Sequence, residues 1–187
     1  MGYRTVTQST SIVDLDKVKK HCFIYGTDDD TLLQVYIAAA CQRFTEMTGI
    51  VIGESSIEFS TDSFDDVIRL YRSPVSAVTS IKYRDTEGTE QTVDISNLVI
   101  DSVSRPARLT LRGEDWPRTD GTPGNVKITF TAGHANLADV PKLIEWAILT
   151  MVAHMYENRE EVSAEKKSIV PSSAQLVINM FEFKDVR

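Results

Sequence analysis

The sequence predicts an α+β protein with a helical core and an inserted β region. Apolar residues recur about every 3.6 positions in residues 13–49 and 139–181, the period of a helix that buries one face. In residues 50–133 the period falls to two, which is typical of strands. Since 187 residues, 42% of them hydrophobic, fit one globular domain, we expect residues 1–187 to form a single domain.

Apolar residues show no regular spacing in residues 1–12, so this segment is expected to form a loose arm. The first half of the helical core follows it. Asp14 is predicted to cap a short helix, and the aspartates at 28–30 suit the positive end of a longer second helix. Gly49 is the expected end of that second helix. The apolar face of the short helix is Leu15, Val18 and Cys22. The stripe of the second helix is Leu33, Ile37, Ala40, Phe44 and Thr48.

Short alternating runs fill the β region. "SIEFS", "VIRLY", "ARLTLR" and "VKITFT" each place apolar residues on one face, and Arg108, Arg112 and Lys127 are expected to face outward. "TSIKY" and "QTVDI" flank the turn "RDTEG", with Gly88 in the turn, which indicates a hairpin. Roughly six to eight short strands favour a small antiparallel β-sandwich or open barrel.

Helix returns near Asp139, an expected cap, with Pro141 tolerated in the first turn. The pattern continues to about Val162. Its predicted buried stripe is Val140, Ile144, Ala147, Ile148, Met151 and Met155. Ser172 or Ser173 is expected to cap a last short helix. The apolar face of this last helix is predicted to be Leu176, Val177 and Met180.

The stretch "VAHMYENRE", residues 152–160, concentrates polar side chains and raises the question of a catalytic site. His154 and Glu157 are an i, i+3 pair that could touch, and a metal-assisted hydrolase would use them. A metal site needs three or four ligands, and positions 150 and 158, one turn from His154, are Thr and Asn. We therefore expect structural roles for His154 and Glu157, with no bound metal, no cofactor and no catalytic residue.

Asn158 lies about 40° from the centre of the apolar stripe at 100° per residue, so it is expected to be buried or half-buried. A buried amide needs a partner, either backbone or a side chain of the β region. Replacing it with leucine should cost roughly 1–3 kcal/mol if that partner is left unpaired.

Charge and composition exclude several other classes of function. The chain carries 20 basic and 27 acidic residues, a net charge of −7, and no segment forms a basic patch dense enough to hold DNA. No 18-residue apolar run predicts a membrane span. Cys22 and Cys41 form no C-x-x-C pair, and no G-x-S-x-G nucleophile elbow is present. We expect a cytosolic chain with reduced thiols.

Several short segments, in their order and spacing, resemble the head–tail connector (adaptor, or head completion) proteins of tailed phages, prophages and gene transfer agents. The segments run from "DLDKVKKHCFI" through "DDDTLLQVYIAAACQRFTEMTG", "IRLYRSPVSAVTSIKYRDTEG", the "WP" at 116–117, "ITFTAGH", the "VP" at 140–141 and "AHMYENRE". The resemblance covers about Val13 to Phe181. His134 departs from it, since an aromatic residue often follows the Ala-Gly, and so does Cys22, where leucine is usual.

The resemblance implies a structural protein of the virion rather than an enzyme. Such connectors form a ring, commonly twelvefold, beneath the portal, where they extend the DNA channel and meet the stopper or tail. The expected partners are other copies of the chain, the portal and the stopper or tail-completion protein, while DNA passes without specific binding. The expected location is the host cytoplasm during assembly and then the head–tail interface. The alternatives are the hydrolase above and a stopper or tail-completion role.

Five residues are the expected contacts to neighbours, on the helix end or in the exposed, charged C-terminus. They are Tyr156, Arg159, Phe181, Phe183 and Arg187. Phenylalanine supplies an aromatic ring and arginine a guanidinium, and both kinds of group are enriched at binding hot spots. Because its surface is acidic, the chain is expected to be mostly monomeric in dilute solution.

Overall fold

The computed structural model describes residues 2–8, 13–158 and 170–183. The chain divides into two compact units. The sheet unit consists of Met1–Ser9 and Gly53–His134, and the helical unit consists of Thr10–Ile52 and Ala135–Arg187. Helices and antiparallel sheets together confirm the predicted α+β class.

The helical unit contains four helices: α1 (Leu15–His21), α2 (Asp30–Thr48), α3 (Lys142–Glu157) and α4 (Ser172–Phe181). The carboxylate of Asp14 accepts the Asp16 N–H at 3.0 Å, which confirms the predicted cap of α1. Gly49 follows α2 with a φ of 69°, the left-handed conformation that glycine adopts most easily, so the predicted end of α2 is also confirmed.

All four helices contribute to one hydrophobic core. The predicted stripe of α2 is buried from Leu33 to Thr48, and the predicted stripe of α3 is buried from Ile144 to Met151. Val18 of α1 and Val177 of α4 complete the contacts of the four helices. Ile50 and Ile52, just after α2, belong to the same core. Each helix therefore has one face committed to folding.

The sheet unit has eight described strands: β1 (Gly2–Gln8), β2 (Ser55–Thr61), β3 (Ile68–Leu70), β4 (Val75–Arg84), β5 (Glu90–Thr92), β6 (Leu98–Asp101), β7 (Ala107–Leu111) and β8 (Val126–Ala132). Five strands form one antiparallel sheet in the order β1-β2-β8-β4-β5, and three form another in the order β3-β7-β6. The predicted hairpin is β4 and β5, with Gly88 in the turn at a φ of 79°. A sandwich or open barrel stays a prediction.

The end of β8 depends on a close backbone approach at Gly133. A Cβ at this position would collide with the Gly53 carbonyl oxygen, and the φ of Gly133 is +111°. Both observations require glycine, since a side chain would clash with backbone and strain the residue. The Gly133 N–H donates to the Pro74 carbonyl at 2.8 Å, and the Glu54 N–H donates to the His134 carbonyl at 3.1 Å.

The N-terminal segment differs from the loose arm that the sequence predicts. Gly2–Gln8 is an edge strand paired with β2, and Tyr3 holds it in place. The Tyr3 ring lies 4.9 Å from the Phe59 ring and 5.0 Å from the Arg72 guanidinium carbon. Its hydroxyl oxygen accepts the Tyr71 N–H at 2.8 Å. Alternation in "GYRTVTQ" is too weak to predict a strand, because the contacts that stabilise it come from distant residues.

Two predicted helix starts are also wrong. Asp139 lies in a 3-10 turn, Leu137–Asp139, where its carboxylate accepts a hydrogen bond from Asn136, and Pro141 occupies the cap position of α3. Likewise, Pro171 precedes α4, and neither helix has a side-chain cap bond. Proline suits the edge of the first turn because the missing N–H would have no partner within the helix. The described part of α3 ends at Glu157, and the predicted end at Val162 lies outside the described residues.

The buried face of α4 differs from the predicted one. Ala174, Val177 and Ile178 are buried, whereas Leu176 and Met180 are exposed. Apolar residues occupy several sides of this short helix, so the sequence does not decide which side faces the core. The sequence also does not predict strand β6 of the sheet unit, since its four residues, "LVID", follow the hairpin without a clear turn signal.

Replacing Tyr3 with alanine should destabilise the sheet unit by roughly 1–3 kcal/mol, less than a fully buried aromatic, because two ring contacts and one acceptor are lost. Tyr3→Phe should cost about 1 kcal/mol, the value of the single hydrogen bond from Tyr71. Chemical denaturation measures both values. Thr5→Ala, on an exposed position of the same strand, is the control, and equal stabilities for Tyr3→Ala and this control would support a loose arm.

Candidate docking surfaces

The polar residues at the end of α3 bond to one another and to the helix backbone. Asn158 caps α3, and both its backbone N–H and its side-chain Nδ2 donate to the His154 carbonyl oxygen, at 3.1 and 2.8 Å. The same Nδ2 lies 3.3 Å from His154 Nδ1. Both side chains are half-buried, whereas that of Glu157 is exposed. The backbone N–H makes the last regular bond of α3, and the side chain adds a second donor to the same carbonyl.

Tyr156 joins α3 to the start of α2. Its hydroxyl donates to the Asp29 carboxylate at 2.6 Å, and its half-buried ring packs against the core. Asp29 occupies the cap position of α2. One contact of Tyr156 is therefore made inside its own subunit, and a contact with a neighbouring subunit stays a prediction.

The described residues show little that is typical of a catalytic centre. Among them, no three His, Cys, Asp or Glu side chains group together as a metal site would require. Burial raises the pKa of the Cys41 thiol to about 12. Burial and then the charge of Glu157 raise the pKa of Cys22. Because the thiolate is the reactive form, both thiols are poor nucleophiles at neutral pH.

The predicted contact residues near the C-terminus fall in different places. Phe181 ends α4 and packs against the core with part of its surface, whereas Phe183 lies beyond the helix and is half-buried. Arg159 and Arg187 lie outside the described residues. The structure therefore does not gather the predicted contacts into one site.

Exposed apolar residues of the helical unit give a more coherent set of candidates. On α4, Leu176 and Met180 are 68% and 69% exposed and, being four residues apart, share one side of the helix. We call these two residues the α4 face. Its side chains lie on the side of α4 away from the buried Ala174 and Ile178.

A second apolar surface lies at the start of α3. Leu143 and Trp146 are 48% and 42% exposed, and we call them the tryptophan face. At 100° per residue, Trp146 lies about 160° and Leu143 about 100° from the centre of the buried stripe. A tryptophan opposite a buried stripe is a signal that the sequence contains, although the buried stripe alone does not point to it.

A third surface is the segment between α1 and α2, residues 22–26, which we call the aromatic loop. Phe23 and Tyr25 are 80% and 91% exposed, while Ile24 between them packs against the core. Phe23 has a φ of 55°, and among the described residues it is the non-glycine with a positive φ. Two bonds to the end of α1 fix this conformation: the Phe23 N–H to the Lys20 carbonyl at 3.4 Å and the Ile24 N–H to the Lys19 carbonyl at 2.9 Å.

Ion pairs fix the helix that carries the aromatic loop. Lys17 of α1 donates to Glu145 of α3 at 2.5 Å, and Lys19 donates to Asp30 of α2 at 2.7 Å. Hydrogen bonds from Lys17 and Lys142 hold the pKa of Glu145 below its usual range. Glu145 therefore stays ionised at neutral pH, and α1 remains tied to both of its neighbours.

Comparison with known proteins identifies a family and a fold. The family described as phage gp6-like head–tail connector protein matches residues 12–107. No curated protein matches the chain. Among the described residues, no helix has the length and apolar character that crossing a membrane requires.

Three solved structures share the fold, and each alignment covers 100% of this chain and 98% of the other. One is from the neck of an empty gene transfer agent particle computed with C6 symmetry, at 22% identity and a TM-score of 0.80. Another is from the virion of a native gene transfer agent particle, at 22% and 0.81. The third is from the neck of a native particle computed with C12 symmetry, at 23% and 0.78.

Replacing Asn158 with leucine should destabilise the protein by about 1 kcal/mol, the lower end of the range that the sequence suggests. The loss is small because the His154 carbonyl still accepts the backbone N–H of residue 158. Thermal unfolding measures the effect, with the exposed Glu157→Gln as the control. A loss of 3 kcal/mol or more would indicate that the side chain has a further buried partner.

Proposed function

The chain belongs to the phage gp6-like head–tail connector family, and we propose that it forms a ring joining the portal of a capsid to the stopper or tail. The family consists of structural proteins and not of enzymes. The proposed ring is twelvefold, lies at the head–tail interface after assembly in the host cytoplasm, and extends the DNA channel. Solved structures with this fold come from necks computed with C6 and C12 symmetry, which supports a cyclic arrangement.

The observation that carries this proposal is the surplus of apolar surface on the helical unit. The four helices already bury a continuous core, so the α4 face, the tryptophan face and the aromatic loop are not needed to complete it. Exposed apolar groups of this size mark interaction sites when they cluster. A connector needs such surfaces for its own copies, for the portal and for the stopper.

The α4 face, together with the residues after Phe181, is the proposed contact with the portal or stopper. Leu176 and Met180 supply flexible aliphatic surface, and Phe183 follows directly beyond the helix. Helix-in-groove recognition uses side chains spaced like these, at i and i+4. Arg187, near the chain end, adds a cation to the same part of the sequence.

The charge of the chain suits a channel through which DNA slides. A net charge of −7 repels a polyanion and leaves few contacts that neutralise phosphates. The same charge keeps subunits soluble and apart in dilute solution. We expect mostly monomer at low concentration, with rings at high concentration or on a portal.

Charging the α4 face tests the partner contact. Leu176→Glu with Met180→Glu should leave the fold intact, since both side chains are exposed, but should give DNA-filled heads without tails in a phage complementation assay. We expect infectious titre to fall at least a hundredfold. Asn179→Glu, which adds a charge at an exposed position of the same helix, is the control and should give normal titres. Normal titres from the double variant would contradict a docking role for the α4 face.

Removing the residues after Phe181 tests the end of the chain separately. We place the truncation after Phe181 because this side chain packs against the core. The truncated protein should melt within a few degrees of the full chain and yet yield heads that lack tails. Normal numbers of infectious particles would show that the end is dispensable and that the docking surface lies elsewhere.

A further inference from the structure

We infer that neighbouring subunits meet through the aromatic loop of one copy and the tryptophan face of the next. This inference rests on the proposed ring, and it names the surfaces that would build it. The partner is a second copy of this chain, and its contact is apolar and aromatic: Phe23 and Tyr25 against Leu143 and Trp146.

A ring imposes a geometric requirement on its subunits, and these two surfaces satisfy it. A cyclic interface with more than two subunits is heterologous, so each subunit needs two different, mutually complementary patches. The patches must also lie apart on the subunit, since each contacts a different neighbour.

The aromatic loop and the tryptophan face lie toward opposite ends of α3. The loop leads into Asp29, which Tyr156 binds near the C-terminal end of that helix, and the charge of Glu157 acts on Cys22 at the loop's start. Trp146 lies ten residues before Tyr156, which corresponds to about 15 Å along the helix axis. Both patches belong to the helical unit, and the core fixes their separation.

The conformation of the aromatic loop is unfavourable for folding alone. At the position after a helix end, a left-handed φ is usually assigned to glycine, and a bulky residue there is strained. Phe23 occupies this position with its backbone N–H bonded to the end of α1, but its ring is exposed and adds little to folding. Ile24, packed against the core, fixes the backbone that carries the two aromatic side chains. A backbone segment that is fixed before binding lowers the entropy lost when a partner is bound.

The side chains of the two patches complement each other. Phenylalanine, tyrosine and tryptophan bury large areas, and tyrosine and tryptophan are enriched among the residues that dominate interface energies. The exposed carboxylate of Asp28 follows the loop. Beside the tryptophan face, Lys17 and Lys142 both pair with the single carboxylate of Glu145, which leaves a net positive charge there. Opposite charges beside the two apolar patches favour the pairing of unlike patches over like ones.

The test uses two variants of the full chain, each lacking one patch. The loop variant is Phe23→Gly with Tyr25→Ser, and the face variant is Leu143→Gln with Trp146→Gln. Sedimentation velocity over a concentration series gives the association state, and thermal unfolding reports folding. Phe23→Gly alone should melt at the same temperature as the wild type or higher, because glycine relieves the left-handed strain. Val103→Asp, an exposed valine of the sheet unit, is the matched control.

We expect the wild type and Val103→Asp to assemble at high concentration, and each patch variant to require at least a tenfold higher concentration. An equimolar mixture of the two variants should form a 1:1 dimer and nothing larger, because the mixture retains one intact loop and one intact face in each pair. Assembly of either variant at the wild-type concentration would overturn the pairing. So would a mixture that stays monomeric.

A wild type that stays monomeric to millimolar concentration would show that assembly needs the portal. Both patch variants are then compared in the phage complementation assay, where normal titres from either variant would overturn the pairing. The connector role would then be judged by the tail-completion assay of the α4 face, which measures infectious particles and does not depend on assembly in solution. Loss of both patches with normal titres would count against the ring as well as against its proposed interface.

Discussion

The single hydrophobic core of the helical unit is the constraint on which the account depends. Because all four helices pack into it, each helix has one face whose side chains are fixed by folding. Positions on the other faces are free of that constraint, so large apolar side chains there need a different explanation. The same packing fixes the distances between exposed surfaces and makes the unit a rigid carrier for them.

Polar groups in this unit also hold its helices in fixed positions. Asn158 closes the last turn of α3, Tyr156 ties that turn to Asp29, and Lys17 and Lys19 tie α1 to its neighbours. The Lys17–Glu145 pair is the more exposed of the two, and exposed ion pairs contribute about 0–1 kcal/mol each, so its role is to orient α1 rather than to supply much stability. Of the residues that suggest an active site in the sequence, Asn158 bonds to His154 at the helix end, and Tyr156 bonds to Asp29, which follows the aromatic loop.

The sequence predicts the parts of the fold that depend on local pattern. The stripe from Leu33 to Thr48 repeats every turn over a 19-residue helix, and the cap at Asp14 needs only neighbouring backbone. Strand β1 was missed because its stability comes from Phe59 and Arg72, more than fifty positions away. The predicted buried face of α4 is wrong because Leu176, Val177 and Ile178 are consecutive apolar residues, and packing against α2 and α3 selects among them.

The candidate surfaces were harder to predict than the fold. Exposure of Phe23 and Tyr25 follows from a left-handed turn that no glycine marks, so the sequence around "HCFIYG" gives little warning. Trp146 could have been found from its position opposite the stripe. The aromatic and cationic residues at the end of the chain have the composition of an interface, but Phe181 packs against the core.

Hydrogen–deuterium exchange, compared between dilute monomer and assembled ring, tests the central claim most directly. The account predicts slower exchange in two segments together, residues 22–26 and the first two turns of α3, because both become covered when subunits meet. Exchange in β5, an edge strand of the sheet unit whose three residues are all exposed, should change little. Protection confined to the sheet unit, with both helical segments unchanged, would contradict the claim that the helical unit's exposed aromatic surfaces build the ring.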